Sequence, residues 1–435
     1  MNVRELALEA YTIIMDEGGY SNLILNQMIE ENPLIPEDRA LLTEIVYGAI
    51  NNKLTIEYKL APFLQTRIKR WQKNLLIISI YQLEYLDKIP NYAVINEAVE
   101  IAKRYSGRQS ANQVNGILRN YMRSDKRDPQ TIKDVTRRIS LSYSLPKWIV
   151  KHLISHHGEE TTEAIAKSLL ERPKMYLRTN KKQTTRENLI ERLTSEGVTA
   201  EASPVHSDAI YVQGGGLTKT TAYKEGLFGI QDASSMCVNY ALHPDSEDII
   251  LDACSAPGGK GFHALESMEG GRVDFRDIYA HKIKLIKQES KRLKHDNLTV
   301  ALKDAAHDSY DELYDKIIVD APCSGLGVIK RKPEIKYNVK EKDIESFVAL
   351  QLEILNNVVK YLKPGGILVY STCTLHQMEN ENVAYTFKKS HDDIDFDTFK
   401  IDAFNFEGTN RQILPNEFGT DGFFIARFIK RPESS

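Results

Sequence analysis

Two cysteines sit where a thiol could do chemistry: Cys323 in "DAPCSGLG" (320–327) and Cys373 in "YSTCTLH" (370–376). Each follows a compact apolar run. A thiolate attacks electron-poor carbon, so either sulfur could be a nucleophile. Asp320, three residues before Cys323, could serve the same reaction as a proton donor or acceptor. The chain holds four cysteines, Cys237, Cys254, Cys323 and Cys373, separated by 17, 69 and 50 residues. No C-x-x-C pair occurs, so a cysteine zinc site is disfavoured and no metal is expected. Cys237 has no motif around it and reads as a small buried hydrophobe. His376 follows Cys373 by three residues, but no oxyanion loop or third orienting residue accompanies it. A Cys/His hydrolase is therefore ranked low.

A second chemical feature is "DACSAPGGKG" (252–261), a Gly-rich turn between an apolar run and a helical stretch. Such a turn lets backbone approach a ligand and offers free N–H groups. Asp277 ends the next apolar run, 19 residues after Gly258, at a distance that suits a ribose hydroxyl. The run is not G-x-G-x-x-G, and Ala256-Pro257 stands where a dinucleotide fingerprint would be. A nicotinamide cofactor is disfavoured. S-adenosylmethionine fits better, because a nucleoside with a short amino-acid tail needs acid and backbone contacts and no pyrophosphate cradle.

These features need a frame. From about 226 the pattern is βαβ: "DIILDAC", "GGRVDFRDI", "LTVALKD", "YDKIIVDAP" and "GGILVYSTC" read as strands with helices between them. Asp252, Asp277, Asp304, Asp320 and Thr372 terminate them. In an open parallel sheet, ligands bind at the C-terminal strand ends, so these residues should converge on one crevice. Residues 1–138 read as helices: "PNYAVINEAVEIAKRY" carries Val94, Ile95, Ala98, Val99, Ile101 and Ala102 on one face. Pro36 should open another helix, with Glu37 or Asp38 at its start. Residues 139–225 are mixed, with a short basic strand at "KMYLRTNKK". The expected division is thus 1–138, 139–225 and 226–435.

Composition fits a soluble globular chain of 435 residues, 42% hydrophobic and 27% charged. The N-terminal apolar run contains charges, and "LLIISIYQL" is too short to cross a bilayer. A cytoplasmic location with reduced thiols is expected, and no membrane association. Net charge is only −3, yet residues 101–138 carry ten basic and three acidic residues. That concentration suits phosphate contacts, although a solvated helical face would look the same.

"LDACSAPGGK", "DAPCSGLGVIKRKPEIK" and "YSTCTLHQMENE", in this order, resemble the RNA cytosine-C5 methyltransferase family. The helical front resembles NusB, and the pairing resembles the Sun/Fmu-type 16S ribosomal RNA methyltransferases. The resemblance covers essentially the whole chain. It implies an α/β, Rossmann-like S-adenosylmethionine-dependent methyltransferase domain after an all-α NusB-like RNA-binding domain and a small α+β RNA-binding or linker module. By it, Cys254, Ser255, Ala256, Pro257, Gly258, Gly259, Lys260, Asp277, Asp304 and Asp320 would bind the cofactor. Asp274 competes with Asp277 as the ribose ligand, and Asp277 is preferred because it ends the strand.

Cytosine C5 is a poor nucleophile until a thiolate adds to C6 and makes C5 enamine-like. The C5 proton must then leave and the thiol must be eliminated. The residues alone do not rank the two thiols. The resemblance implies that Cys373 attacks, that Cys323 assists product release, and that protonated Asp320 or its neighbours brace the base. Lys330, Arg331 and Lys332 would contact the RNA backbone beside an unstacked or loop cytosine of ribosomal RNA. A monomer is expected. Transfer RNA as substrate and a non-catalytic RNA-binding assembly factor are the rival readings. A DNA methyltransferase is disfavoured, because such enzymes need one Pro-Cys nucleophile and no second thiol.

Overall fold

The computed structural model describes residues 2–65 and 67–432, so the last three residues of the expected 226–435 region lie outside the described residues. The chain forms two compact units, Met1–Glu171 with Ile329–Glu341, and Arg172–Val328 with Lys342–Ser435. These units cut across the expected regions 1–138, 139–225 and 226–435. Helix Lys147–Ser168, expected in the mixed module, belongs to the helical unit. Its apolar stripe of Ile149, Val150, Leu153 and Ile165 needs a buried partner there. Phe228–Ile230, expected beyond that module, is the edge strand of the module's sheet.

In the helical unit, Asn2 caps helix Val3–Asp16, its Oδ1 accepting the N–H groups of Arg4 and Glu5. Helix Pro36–Asn51 starts with Pro36 as expected, but the cap position is Ile35. Glu37 and Asp38 lie inside the first turn, where they favour the helix dipole. Helix Asn91–Arg123 breaks at Gly107, whose φ of 76° is left-handed. Leu6, Tyr11, Ile45, Val46, Ile77, Ile101 and Val114 fill the core. Gly48 is required there, because a Cβ would stand 1.9 Å from the Tyr81 ring.

Segment 329–341 completes this unit. Helix Ser21–Glu31 has no side-chain cap of its own. Glu334 supplies one, accepting Ser21 N–H at 3.0 Å and Ser21 Oγ–H at 2.8 Å. Lys336 Nζ donates to the Asn51 carbonyl at 2.9 Å, and Tyr337 Oη–H to the Ile50 carbonyl at 3.0 Å. Burial holds the Lys336 ammonium down at about 7.

The second unit begins with β1 (Met175–Thr179), β2 (Thr199–Ala202), β3 (Ala209–Gln213) and β4 (Phe228–Ile230). They form an antiparallel sheet in the order β2-β3-β1-β4, with Leu189 and Leu193 of helix Arg186–Ser195 in its core. Ten strands follow. They are β5 (Ile249–Asp252), β6 (Arg272–Asp277), β7 (Leu298–Leu302), β8 (Tyr314–Asp320) and β9 (Leu362–Thr372). Then come β10 (Ile394–Phe396), β11 (Phe399–Ile401), β12 (Phe406–Gly408), β13 (Asn410–Ile413) and β14 (Phe423–Lys430). The main sheet runs β10-β14-β9-β8-β5-β6-β7, with β13 on β14, while β11 and β12 form a separate hairpin. Strands β5 to β9 are parallel, and β14 runs antiparallel to β9. All five expected strands are present. Ile317, Ile318 and Val319 of β8 and Leu368, Val369 and Tyr370 of β9 are buried on both faces, which explains their continuous apolar runs.

The basic strand β1 has a structural use. Arg178 is 1% exposed. Its Nε and Nη2 bind the Glu266 carboxylate at 2.6 and 2.9 Å, and Nη1 donates to the Gly259 carbonyl at 2.9 Å. It thus ties the small sheet to the Gly-rich turn. Arg178→Met should cost about 3–5 kcal/mol, because Glu266 would keep an unpaired buried charge. Arg178→Met with Glu266→Leu should recover most of that loss. Urea denaturation of the three proteins checks both outcomes.

Candidate active site

The strand order reverses between β5 and β8, and the expected residues gather at that switch point. Strand β5 ends at Asp252, and the turn leads into helix Gly259–Ser267. Gly258 has a φ of 104°, and a Cβ there would stand 2.5 Å from the Phe262 ring. Ser255 Oγ donates to the Arg276 carbonyl at 2.6 Å, pinning the turn to the end of β6. Asp277 Oδ2 accepts Ala256 N–H at 3.2 Å, and its Oδ1 accepts Tyr279 N–H at 3.1 Å. Asp274 is engaged elsewhere, by Arg272, Arg276, Thr299 and the Tyr314 hydroxyl. Of the two acids, Asp277 stands beside the glycine turn. Asp304 lies two residues beyond edge strand β7 and caps the next turn through Ala306 N–H. Cys254 is half-buried in the turn, and burial pushes its thiol up.

Lys260 Nζ reaches Asp320 Oδ2 at 2.6 Å, and Ser371 Oγ–H donates to Asp320 Oδ1 at 2.8 Å. Asp320 is therefore held between the glycine turn and β9. Asp252, expected as a strand terminus without a binding role, is the acid that the sequence reading undervalued. Its Oδ2 accepts Gly261 N–H, while its buried Oδ1 has no hydrogen-bond partner. Burial pushes its carboxyl up to about 7, against the pull of Lys260. Its place immediately before the glycine turn is the signal that could have marked it.

Parallel pairing sets Asp320 opposite Ser371, so the chain leaves β8 and β9 side by side. Cys323 and Cys373 come together, Sγ to Sγ, at 3.4 Å. Gly327 N–H donates to the Cys373 carbonyl at 2.9 Å and joins the two loops. The contact with Cys373, reinforced by burial, pushes the Cys323 thiol well up and keeps its proton in place. Cys237 is buried against Ala233, as expected of a packing cysteine.

The basic run after Cys323 needs correction at one residue. Lys330 is only 4% exposed, because residues 329–341 pack into the helical unit. Arg331 is half-buried and Lys332 exposed. Two further residues of the site, Glu379 and Gln351, were given no role from sequence. Both are fully buried and bond to the residues around the two thiols. His206, Asp208 and His263 form a buried group elsewhere, in which Lys181 Nζ stands 3.0 Å from Asp208 Oδ2. An ammonium already meets that carboxylate.

With this geometry in place, the comparisons are specific. Residues 239–429 match the family described as 16S rRNA methyltransferase RsmB/F. Residues 1–123 match the NusB family, and residues 145–217 match the ferredoxin-like domain of RsmF/B-like methyltransferases. The chain is 41% identical to "Probable ribosomal RNA small subunit methyltransferase B" of Bacillus subtilis, over 99% of both chains. It is 34% identical to "Ribosomal RNA small subunit methyltransferase B" of Shewanella oneidensis, also over 99% of both. Among solved structures, a methyltransferase homolog from Pyrococcus horikoshii matches with a TM-score of 0.59 and 27% identity, over 69% of this chain and 100% of that one. NSun6 from the same organism, solved with SFG, matches with a TM-score of 0.60 at 24% identity, over 66% and 98%. The chain belongs to the RsmB/F family of RNA methyltransferases. Its α/β unit has the Rossmann-like fold of S-adenosylmethionine-dependent enzymes, preceded by an all-α NusB domain and a ferredoxin-like module.

The residues fit that cofactor. Asp277 ends β6 beside the turn, and Asp252 Oδ1 offers an unsatisfied buried acceptor. A carboxyl near 7 in the folded chain, against about 3.9 unfolded, binds more protons when folded between those values. Stability therefore falls as pH rises from about 4 to 7, and the whole penalty is present above 7. Asp252→Asn should melt higher than wild type at pH 8, with the difference fading toward pH 4. The same variant should bind S-adenosylmethionine at least about tenfold more weakly at pH 8. Melting curves across pH and calorimetric titration check the two halves.

Proposed function

We propose that this protein transfers a methyl group to C5 of a cytosine in small-subunit (16S) ribosomal RNA through a covalent adduct with Cys373. The observation that carries the reading is the 3.4 Å approach of two thiols beside an acid-bearing cofactor turn. The printed names of the full-length relatives support the RNA substrate. The target base must be unstacked or in a loop, because C6 is out of reach inside a helix.

S-adenosylmethionine, when bound, supplies an electrophilic methyl group. Cys254–Lys260, Asp277, Asp304 and Asp320 would hold it, together with Asp252, whose buried Oδ1 lacks a partner. Cys373 is the nucleophile: its sulfur bonds to C6 and makes C5 electron-rich. After C5 is methylated, its proton leaves to a base and the C6–sulfur bond breaks, restoring the pyrimidine. Cys323, whose sulfur lies 3.4 Å from that of Cys373, assists release of the product. Asp320, anchored by Lys260 and Ser371, braces the base. Arg331 and Lys332 contact the RNA backbone, and Lys330 is dropped from that role by its burial. The enzyme acts as a cytoplasmic monomer, with its thiols reduced.

Bisulfite sequencing of ribosomal RNA with and without the gene tests the reaction, and an unchanged cytosine map would defeat it. Cys373→Ala should abolish methylation and leave cofactor binding intact. Cys323→Ala should accumulate a covalent RNA adduct that survives denaturing gels, and an adduct formed by Cys373→Ala instead would reverse the two roles. Lys103, Arg104 and Arg108 are exposed on the helical unit. Neutralising all three should weaken RNA binding and flatten its salt dependence, measured as the slope of log affinity against log salt.

A further inference from the structure

One buried carboxylate connects the two thiol-bearing loops. Ser324 follows Cys323 in the chain, and Thr374 follows Cys373. Glu379 bonds to both. Its Oε2 accepts Ser324 N–H at 2.8 Å, and its Oε1 accepts the Ser324 hydroxyl in a short bond. Thr374 Oγ1 lies 3.3 Å from the same Oε1 and 2.7 Å from Ser324 Oγ. Gln351 Nε2 donates to Glu379 Oε2 at 3.1 Å and to the Pro322 carbonyl, immediately before Cys323, at 3.0 Å. Glu379 is itself held, its own carbonyl accepting the Tyr370 hydroxyl of β9 at 2.6 Å. Its neighbour Asn380 accepts Thr372 Oγ–H and donates to the Thr374 carbonyl.

We propose that Glu379 is a positioning residue that sets the separation of Cys323 and Cys373, and so couples attack at C6 to release of the methylated base. The proposal rests on the two-thiol reading above and adds a residue that touches neither substrate nor cofactor. A carboxylate is the group this site needs. Four donors converge on it: Ser324 N–H, Ser324 O–H, Gln351 N–H and Thr374 O–H. An ionised carboxylate only accepts, and it has lone pairs for all four. A glutamine would turn an amide N–H₂ toward one of those donors and leave buried groups unmatched.

Spacing matters because both thiols serve one base, Cys373 in attack at C6 and Cys323 in release of the product. A misplacement of about 1 Å can cost on the order of a hundredfold in rate. The loops emerge from paired strands, but their tips have no ladder of their own. Beyond the strand ends, the Gly327–Cys373 backbone bond and the Glu379 cluster hold the two tips to each other.

The test is dibromobimane, a short reagent with two bromomethyl arms, on the full-length protein without RNA or cofactor. Each thiolate displaces one bromide, and bridging Cys323 to Cys373 is read by peptide mapping. Monobromobimane labelling reports the reactivity of each thiol alone. Glu379→Gln should slow bridging at least tenfold relative to single labelling, and Glu379→Asp should restore part of it. With RNA and cofactor, Glu379→Gln should accumulate adduct, as Cys323→Ala does. Bridging within twofold of wild type would overturn the proposal. If Glu379→Gln fails to fold, Thr374→Val and Ser324→Ala each remove one contact and should each slow bridging two- to fivefold. An unchanged rate in both would be equally decisive against it. Bridging needs no methyl transfer, so normal bridging effects with no RNA methylation would defeat the functional reading and leave the positioning role standing.

Discussion

Asp320 and Ser371 face each other across the parallel β8–β9 pair, and the hydroxyl of one bonds to the carboxylate of the other. Everything chemical in the α/β unit is referred to that register. Three residues beyond Asp320 is Cys323, and two beyond Ser371 is Cys373. A slip of one residue would turn alternate side chains to the other face of the sheet and separate the thiols. The same carboxylate also meets Lys260 from the glycine turn after β5. One acid thus links the glycine turn, the loop of Cys323 and the strand that leads to Cys373.

The site is built from charges in a place that disfavours them. Asp252 is fully buried with one unpartnered oxygen, and its carboxyl sits near 7. Asp277 and Asp320 lie close enough to oppose its ionisation. Such a group destabilises the ligand-free fold, and functional sites are where that cost is tolerated. The other buried charges around it are paired. Arg178 and Glu266 form a bidentate buried pair behind the turn, and Arg272 and Arg276 balance Asp274 within β6.

Segment 329–341 shows how a surface-looking sequence can be interior. "IKRKPEIKYNVKE" is rich in charge, and its Lys330, Arg331 and Lys332 were expected at the RNA backbone. Its Glu334 caps a helix that lacks a cap, and its Lys336 satisfies a helix-end carbonyl. Both charged groups find partners among orphan backbone groups, which is why burial is tolerated. The helical unit is therefore completed by a part of the chain that lies far from it in sequence.

Much was legible in one dimension. The five parallel strands, their polar ends and the Gly-rich turn follow from local pattern, because strand burial and positive φ act on neighbouring residues. Asp277 could be preferred to Asp274 because strand ends face the crevice. Compact units are decided by packing: helix Lys147–Ser168 falls in the first unit and strand Phe228–Ile230 pairs with β1, since only a packing partner decides where an apolar face is buried. Lys330 was expected at the RNA and Arg178 lay in a basic strand, yet both are buried, and no local signal separates a solvated cation from one held inside the fold. The sequence by itself determined which residue types were present and in what order: two thiols, a row of strand-end acids and a glycine turn. Tertiary structure alone decided that the sulfurs meet at 3.4 Å and that Glu379 holds the residue after each. The reason is physical: hydrogen bonds and sulfur contacts act over a few ångströms, and strand pairing brings residues 50 apart in the chain within that range.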